Sequence, residues 1–233
     1  MADEDEDPAP GDEAPGGMRR GLRLGRLEAL SDGVFSIAIT LLVLDIAVPA
    51  SAESHLLSSI AHLWPSYLGY AVSVATIGAM WLGHTAITDY LERADLGFVR
   101  LNLLLLLFVA FLPFPTRLFA EFIGRNGPER VAAPVYGFSL LLTSLLLQLL
   151  WRYAVRHQLV RPDAADEEIE LLTRRLTPGV GGYVVLIAAG VFIPVIAVVG
   201  YLGIALFYIV PFRSLRPFRR GGRPAGRRRT PQS

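Results

Sequence analysis

Long apolar runs constrain this chain more than any other feature of its sequence. Four runs reach the roughly 20 residues that a helix needs to cross a bilayer; they are 27–48, 56–83, 99–118 and 131–153. A further apolar block, 179–212, is too long for one span, and Pro194 and the turn-like Val-Val-Gly-Tyr at 198–201 interrupt it. We interpret this block as two short helices joined by a tight turn at 197–201, and we expect Pro113 to end or kink the third span. The sequence therefore predicts an all-α, polytopic membrane protein with six transmembrane helices per subunit.

Arginine is distributed unevenly between the two sides that six spans define. The side that holds both termini carries 19 Arg, whereas the opposite side carries three, at positions 117, 125 and 130. Because cytoplasmic segments of membrane proteins carry an excess of Arg and Lys, we expect both termini to be cytoplasmic. The chain is then a multi-pass protein of the inner (cytoplasmic) membrane, and its number of spans is even.

The two ends of the chain differ sharply from the apolar region between them. Residues 1–17 hold seven acidic and no basic residues, whereas 213–233 hold eight Arg and no acidic residue. Both ends are rich in Pro and Gly and predict disordered tails: an acidic tail at 1–22 that ends in a basic patch, and an Arg-rich tail at 213–233. A transmembrane domain at 23–212 lies between them. Because the Arg-rich tail follows a cytoplasmic span end, we expect it to contact anionic lipid headgroups and not nucleic acid.

Nothing in the sequence points to catalysis or to a cofactor. The chain has no cysteine, which excludes disulfides and thiolate ligands. Its four histidines lack metal-ligand spacing, and no Ser-His-Asp or paired-carboxylate set converges at one depth. We therefore expect no cofactor, no bound metal and no enzymatic activity.

The first span has an apolar stripe and a polar diagonal. At about 100° per residue, one narrow face carries only apolar residues: Leu30, Val34, Ile37, Leu41, Leu44 and Val48. Asp32, Ser36 and Thr40 follow one another at i, i+4 spacing. A carboxylate inside a span normally faces protein or water, so we expect the polar diagonal to face neighbouring helices. The apolar stripe, which is also compatible with ordinary packing or lipid contact, would then meet protein or a central axis.

The stretch RLEALSDGVFSIAIT, residues 26–40, resembles the signature of the transmembrane protein 175 family of potassium channels. In that signature an Arg, three residues and then Phe-Ser-Asp open the first span. Arg26, Ser31 and Asp32 match it, while Leu30 replaces the usual Phe. WLGH at 81–84 and the run from Asn102 through FLPFPT at 111–116 are similar to the family's second and third spans, so the resemblance covers roughly residues 26 to 120.

This resemblance implies a passive, potassium-selective channel in which a homotetramer surrounds a pore lined by the first helix. The implied partners are K⁺ ions and further copies of the same chain. The implied pore constriction is hydrophobic and consists of Ile37, Leu41 and Leu44, with Thr40 beside it. The implied network that anchors the first helix consists of Arg26, Ser31, Asp32, Trp81, His84 and Asn102. Arg26 stands six residues before Asp32, too far for a pair within one helix, so we expect its partner on another helix or another subunit.

Several alternatives stay open at this point. Asp45 is either a solvated charge at the outer end of the first helix or part of a cation-attracting ring at an outer mouth. Asp32 and His84 motivate a proton-permeable channel as one alternative function. An ion-coupled secondary transporter is the other alternative, although it predicts an inverted repeat that the sequence does not show.

Overall fold

A computed structural model describes residues 16–48, 56–123, 127–176 and 178–210, with side chains from residue 24 onwards in the first range and from residue 180 onwards in the last. The helices are α1 (Gly16–Leu41), α2 (Leu56–His62), α3 (Trp64–Asp89), α4 (Leu96–Phe111), α5 (Pro113–Phe122), α6 (Glu129–Arg156), α7 (Asp166–Leu176), α8 (Pro178–Phe192) and α9 (Pro194–Ile209). A 3₁₀ turn, Leu42–Asp45, continues α1. The acidic segment 1–15, the outer connection at 49–55 and the Arg-rich tail 213–233 lie outside the described residues.

The described residues are almost entirely helical, which confirms the all-α class. An isolated antiparallel bridge between Leu91 and Val160 is the one β-type pairing within these ranges. Five helical segments are long and apolar enough to cross a membrane, namely Leu24–Asp45, Trp64–Asp89, Leu96–Phe122, Glu129–Arg156 and Asp166–Phe192. The helix α9 is equally apolar but has only 16 residues. The described ranges therefore contain five candidate spans and one shorter apolar helix where the sequence predicts six spans.

The boundary between α8 and α9 lies at Ile193, beside the predicted break at Pro194. Pro194 is the first residue of α9, a position where the missing N–H of proline has no helical partner to lose. The predicted turn at 197–201 is wrong, because these residues lie inside α9. Gly200 belongs in this helix for a packing reason: a Cβ at that position would overlap Leu186 of α8, lying 2.8 Å from its Cδ1. The glycine therefore permits close approach of the two helices and does not form a turn.

Two other predicted boundaries also differ from the structure. The third span is interrupted at Leu112, and Pro113 starts α5, so the helical region continues to Phe122. The predicted loop at 154–178 contains the helix α7. Its charged residues hid it from a search for apolar runs, yet acidic residues in its first turn and Arg in its last turn both stabilise a helix through its dipole.

The helix α6 is the centre of the subunit, because it packs against α4, α5, α8 and α9. Its large side chains Tyr136, Leu140, Leu150 and Trp151 are fully buried. The helix α3 packs against α5, α9 and α1. In contrast, α1 packs mainly against α3 and α4. It lies at the edge of the bundle, with one side uncovered.

Backbone and side-chain bonds hold together the end of the bundle at which α3 finishes. The Glu92 N–H donates to the Leu159 carbonyl at 2.9 Å, which joins the α3–α4 loop to the α6–α7 loop. Asp95 caps α4 by accepting a hydrogen bond from the Phe98 N–H at 2.7 Å. The same carboxylate accepts from the Tyr153 hydroxyl of α6 at 3.0 Å. These bonds fix the start of α4 relative to α6.

We expect Gly137→Ala to destabilise the subunit, because a Cβ at this position of α6 would overlap the Tyr201 hydroxyl and lie 2.8 Å from Ile187 Cγ1. Tyr201 is fully buried and has no room to move aside. Overpacking of this kind costs about 1–3 kcal/mol, which should lower the midpoint of thermal unfolding in detergent. Gly203→Ala is the matched control, since no atom lies within 4 Å of its Cβ position. Equal midpoints for the two variants would contradict this packing.

Candidate functional site

The helix α1 has one buried face and one exposed apolar face. The buried face packs towards α3 and α4 and consists of Leu27, Ser31, Phe35, Ala38 and Leu42. The exposed face carries most of the predicted apolar stripe, with Ile37 59% exposed and Leu44 71% exposed. Leu30, Leu41 and Val48 are exposed on the same helix and its continuation. The subunit therefore presents a row of large apolar side chains that its own helices do not cover.

The polar diagonal does not behave as expected within the subunit. Ser36 and Thr40 are exposed and do not pack against α3 or α4; the Thr40 hydroxyl donates to the Ile37 carbonyl of its own helix at 2.9 Å. Asp32 is also exposed, but its Oδ1 accepts a hydrogen bond from Trp81 Nε1 of α3 at 2.8 Å. Only the first residue of the diagonal thus meets a neighbouring helix. The diagonal lies at the flank because Ser31 and its apolar neighbours occupy the contact with α3 and α4.

Three buried polar side chains from α1, α3 and α4 meet beneath the exposed stripe; we call them the Ser31–His84–Asn102 cluster. Asn102 Nδ2 donates to Ser31 Oγ at 3.0 Å, and Asn102 Oδ1 lies 2.8 Å from His84 Nε2. An amide oxygen can only accept, so the Nε2 of His84 is the donor. Ser31 Oγ in turn donates to the Leu27 carbonyl at 2.9 Å. The donors therefore run in one direction from α3 through α4 to α1.

Burial makes this cluster demanding. Ser31 and Asn102 have no exposed surface, and His84 has 1%. A buried polar group without a partner is costly, and more so where no water is available. The aromatic ring of Phe35 lies 5.6 Å from the His84 ring and closes the cluster on the α1 side. Sequence reasoning missed Phe35, although its position four residues after Ser31 places it on the same helix face.

The remaining predicted residues have weaker contacts. Arg26 is exposed, and no carboxylate forms an ion pair with it among the residues that the structure describes. Asp45 is half-buried in the 3₁₀ turn; its Oδ2 is buried and has no hydrogen-bond partner in the described ranges. Arg117 of α5 attracts Asp45 electrostatically from beyond ion-pair distance. The described part of the chain contains no group of three or more His, Cys, Asp or Glu side chains suited to a metal ion.

A second buried polar cluster joins α3, α5 and α6 nearer the opposite end of the bundle, and sequence reasoning did not find it. Ser73 Oγ lies 2.8 Å from both Thr116 Oγ1 and the Tyr136 hydroxyl. Thr116 also donates to the Leu112 carbonyl at 2.8 Å, across the interruption between α4 and α5. Each residue is an isolated polar side chain in an apolar run. Polarity in a predicted span was the available signal, but it does not say which partner each residue meets.

Comparison with known proteins identifies the family. Residues 26–113, which contain the Ser31–His84–Asn102 cluster, match the family described as "Endosomal/lysosomal potassium channel TMEM175". A protein of Chamaesiphon minutus that is named a potassium channel is 42% identical over 168 residues, which are 70% of this chain and 82% of that protein. This chain belongs to the TMEM175 family. A protein of Streptomyces collinus with the same type of name is 44% identical over 133 residues, covering 57% of this chain and 65% of its relative.

The fold agrees with a solved member of the TMEM175 family. The crystal structure of a "lysosomal potassium-selective channel TMEM175 homolog" from Chamaesiphon minutus matches with a TM-score of 0.73 and 38% identity, covering 80% of this chain and 96% of that one. A more distant relative from Gallus gallus is named an endosomal/lysosomal proton channel. It is 34% identical over 142 residues, but the match spans only 28% of its length.

Ser31→Ala tests whether the cluster stabilises the subunit. The substitution leaves the buried Asn102 amide without its acceptor, and we expect a loss of about 1–3 kcal/mol in unfolding free energy. Ser139→Ala is the matched control, because Ser139 also donates to the carbonyl four residues earlier in its own helix, at 2.9 Å, but belongs to neither cluster. Thermal unfolding of both variants in detergent provides the comparison. A Ser31→Ala midpoint as high as that of Ser139→Ala would show that the cluster does not hold α1.

Proposed function

We propose that this chain is the subunit of a passive, potassium-selective ion channel of the cytoplasmic membrane, with both termini in the cytoplasm. The observation that carries the proposal is the exposed apolar face of α1 opposite a buried polar anchor. One such helix cannot enclose a pore, but several copies can place their exposed faces around a common axis. Membership of the TMEM175 family supports this reading, as do the relatives that are named potassium channels.

The complete channel is a homotetramer of subunits with six spans each, and α9 is the sixth span. Sixteen helical residues extend about 24 Å, somewhat less than the roughly 30 Å of a hydrocarbon core. The buried Tyr201 supports this assignment, because it packs α9 into the bundle. An even number of spans also agrees with the Arg asymmetry. A detergent-solubilised complex with the mass of a single chain would exclude the tetramer.

The pore constriction consists of Ile37, Leu41 and Leu44. Rings of such side chains exclude water when the pore is narrow and allow ions to pass when it widens slightly. Thr40 lies beside them. Its hydroxyl proton is bonded to the Ile37 carbonyl, so its oxygen remains free to accept a hydrogen bond from pore water.

The other predicted residues hold α1 in its orientation or act at the ends of the pore. Ser31, His84 and Asn102 fix the rotation of α1 from its buried side, and Trp81 with Asp32 fixes it from the flank. Arg26 pairs with a carboxylate of a neighbouring subunit, which accounts for its exposure in a single one. Asp45 forms an acidic ring at the outer mouth that attracts cations. The Arg-rich tail at 213–233 contacts anionic headgroups.

Proton permeation is the second candidate function. It is favoured by His84, which belongs to a directional hydrogen-bond chain, and by the vertebrate relative that is named a proton channel. An ion-coupled transporter is less well supported, because no inverted repeat provides a site at the middle of the membrane.

Ion flux from liposomes that contain the purified protein tests the proposed function. Under separate gradients of K⁺, Na⁺ and H⁺, we expect fast K⁺ flux that needs no coupling ion and little Na⁺ flux. Protein-free liposomes provide the control. Proton flux that exceeds K⁺ flux would favour the second candidate, and flux that requires a counter-ion would favour a transporter.

Ile37→Asn tests the position of the constriction. A polar side chain wets a hydrophobic ring, so we expect a higher conductance or a lower preference for K⁺ over Na⁺. Ile196→Asn is the matched control, since Ile196 of α9 is 56% exposed against 59% for Ile37 but lies away from α1. Single-channel recordings of both variants in planar bilayers provide the measurement. An unchanged current through Ile37→Asn would place the constriction elsewhere.

A further inference from the structure

A cavity of about 320 Å³ lies between α3, α6, α7 and the adjacent ends of α8 and α9. Its volume is at the lower end of the roughly 300–1,000 Å³ that ligand sites commonly have. Its wall is mainly apolar, with Met80, Leu82, Leu147, Leu172 and Leu176. No residue of α1 lines it. The cavity is therefore separate from the proposed ion pathway.

The cavity is elongated along α3. Thr76 lines it at one end and Asp89 at the other, and thirteen positions of a helix extend about 20 Å. Half of a hydrocarbon core is about 15 Å thick. The cavity thus has the length of a chain that enters one leaflet at its headgroup level and reaches towards the middle of the membrane.

The apolar wall gives water little to bind. A buried water needs two to four polar partners, whereas the Thr76 hydroxyl deep in the cavity already donates to the Val72 carbonyl at 2.7 Å. Of the remaining polar lining residues, Asp89 and Arg175 lie at the rim, where α3 and α7 end. Such a site suits an apolar chain that carries a polar group at one end.

The rim presents one negative and one positive side chain. The Arg175 guanidinium is held by donating from Nη2 to the Tyr208 carbonyl at 2.9 Å, which leaves further N–H groups for another acceptor. Asp89 is exposed, and no ion pair joins it to Arg175 in the part of the chain described. A ligand with an anionic and a cationic group satisfies both charges, whereas a purely anionic ligand meets repulsion from Asp89.

We propose that this cavity binds a phosphatidylethanolamine molecule, with one acyl chain between α3 and α6. Its phosphate accepts hydrogen bonds from Arg175, and its ammonium group pairs with Asp89. The lipid comes from the leaflet on the side where α3 and α9 end, which the proposed topology makes cytoplasmic. The proposal does not depend on ion conduction, because lipid binding is measured directly.

Titration of the purified full chain in detergent with dioleoylphosphatidylethanolamine or dioleoylphosphatidylglycerol, followed by native mass spectrometry, tests the proposal. We expect tighter binding of the ethanolamine lipid. Asp89→Asn should weaken its binding about three- to tenfold, as expected for the loss of one partly exposed charged contact, and should leave the glycerol lipid unchanged or bound more tightly. Arg175→Gln should weaken the binding of both lipids.

Arg174→Gln is the matched control for charge, because Arg174 is the preceding residue of α7 but pairs with Glu170 at 2.6 Å and does not line the cavity. Its affinities should equal those of the unaltered chain. Ala86→Phe fills the cavity without a change of charge and should weaken the binding of both lipids. Thermal midpoints identify any variant that fails to fold, and the two surface-charge variants decide the question if Ala86→Phe does so.

Three results would overturn the proposal. Equal affinity for both lipids with no effect of Asp89→Asn would indicate non-specific contact with the bilayer. An effect of Arg174→Gln as large as that of Arg175→Gln would indicate general attraction to a basic surface. Lipid binding that strengthens markedly when the chain is ended after Val210 would mean that the tail of the chain is the occupant.

Discussion

A polar side chain inside a bilayer finds no water, so it must find a partner in the protein, and this constraint orients the first helix. Asn102 satisfies two neighbours at once: its oxygen accepts from His84, and its amide donates to Ser31. Rotation of α1 would leave the amide without its acceptor in a fully buried position. Ile37 lies six residues after Ser31, about 120° away around the helix. The bond that fixes Ser31 inward therefore also directs Ile37 outward.

The rest of the bundle gives this anchor a rigid support. The helix α6 lies behind α4 and is fully buried at Trp151 and Tyr136. Ser73 and Thr116 join Tyr136 in the second polar cluster, and the Asp95 cap ties the start of α4 to α6. Because α4 carries Asn102, each of these contacts also restrains the partner of Ser31. The orientation of α1 thus depends on residues that never touch it.

Sequence reasoning predicted the elements whose signal is local. Apolar length gave four spans, and proline marked the interruptions at Leu112 and Ile193 correctly to within one residue. It failed where packing overrides a local signal: Gly200 has the character of a turn residue, but close contact with Leu186 keeps it helical. The helix α7 was missed for the converse reason, since its charged residues form a surface helix without an apolar run.

For the site, the sequence indicated the residues but not their partners. Helical periodicity placed Ile37 and Leu44 on one face, and both are exposed. The same periodicity could not show that Ser36 lies at an uncovered flank, because that depends on where α3 and α4 pack. Hydrogen-bond partners from helices far apart in the sequence, such as Ser73 and Tyr136, leave no periodic signal in either helix.

The exposed stripe of α1 makes little contact with the subunit that carries it. Ile37 and Leu44 contribute almost nothing to the buried core, whose members on this helix are Leu27, Phe35, Ala38 and Leu42. Evolution can therefore alter the width and chemistry of this surface without compensating changes in the bundle. Variation along the stripe between related proteins would then record adaptation to different ions, while the face that carries Ser31 stays under the separate constraint of folding.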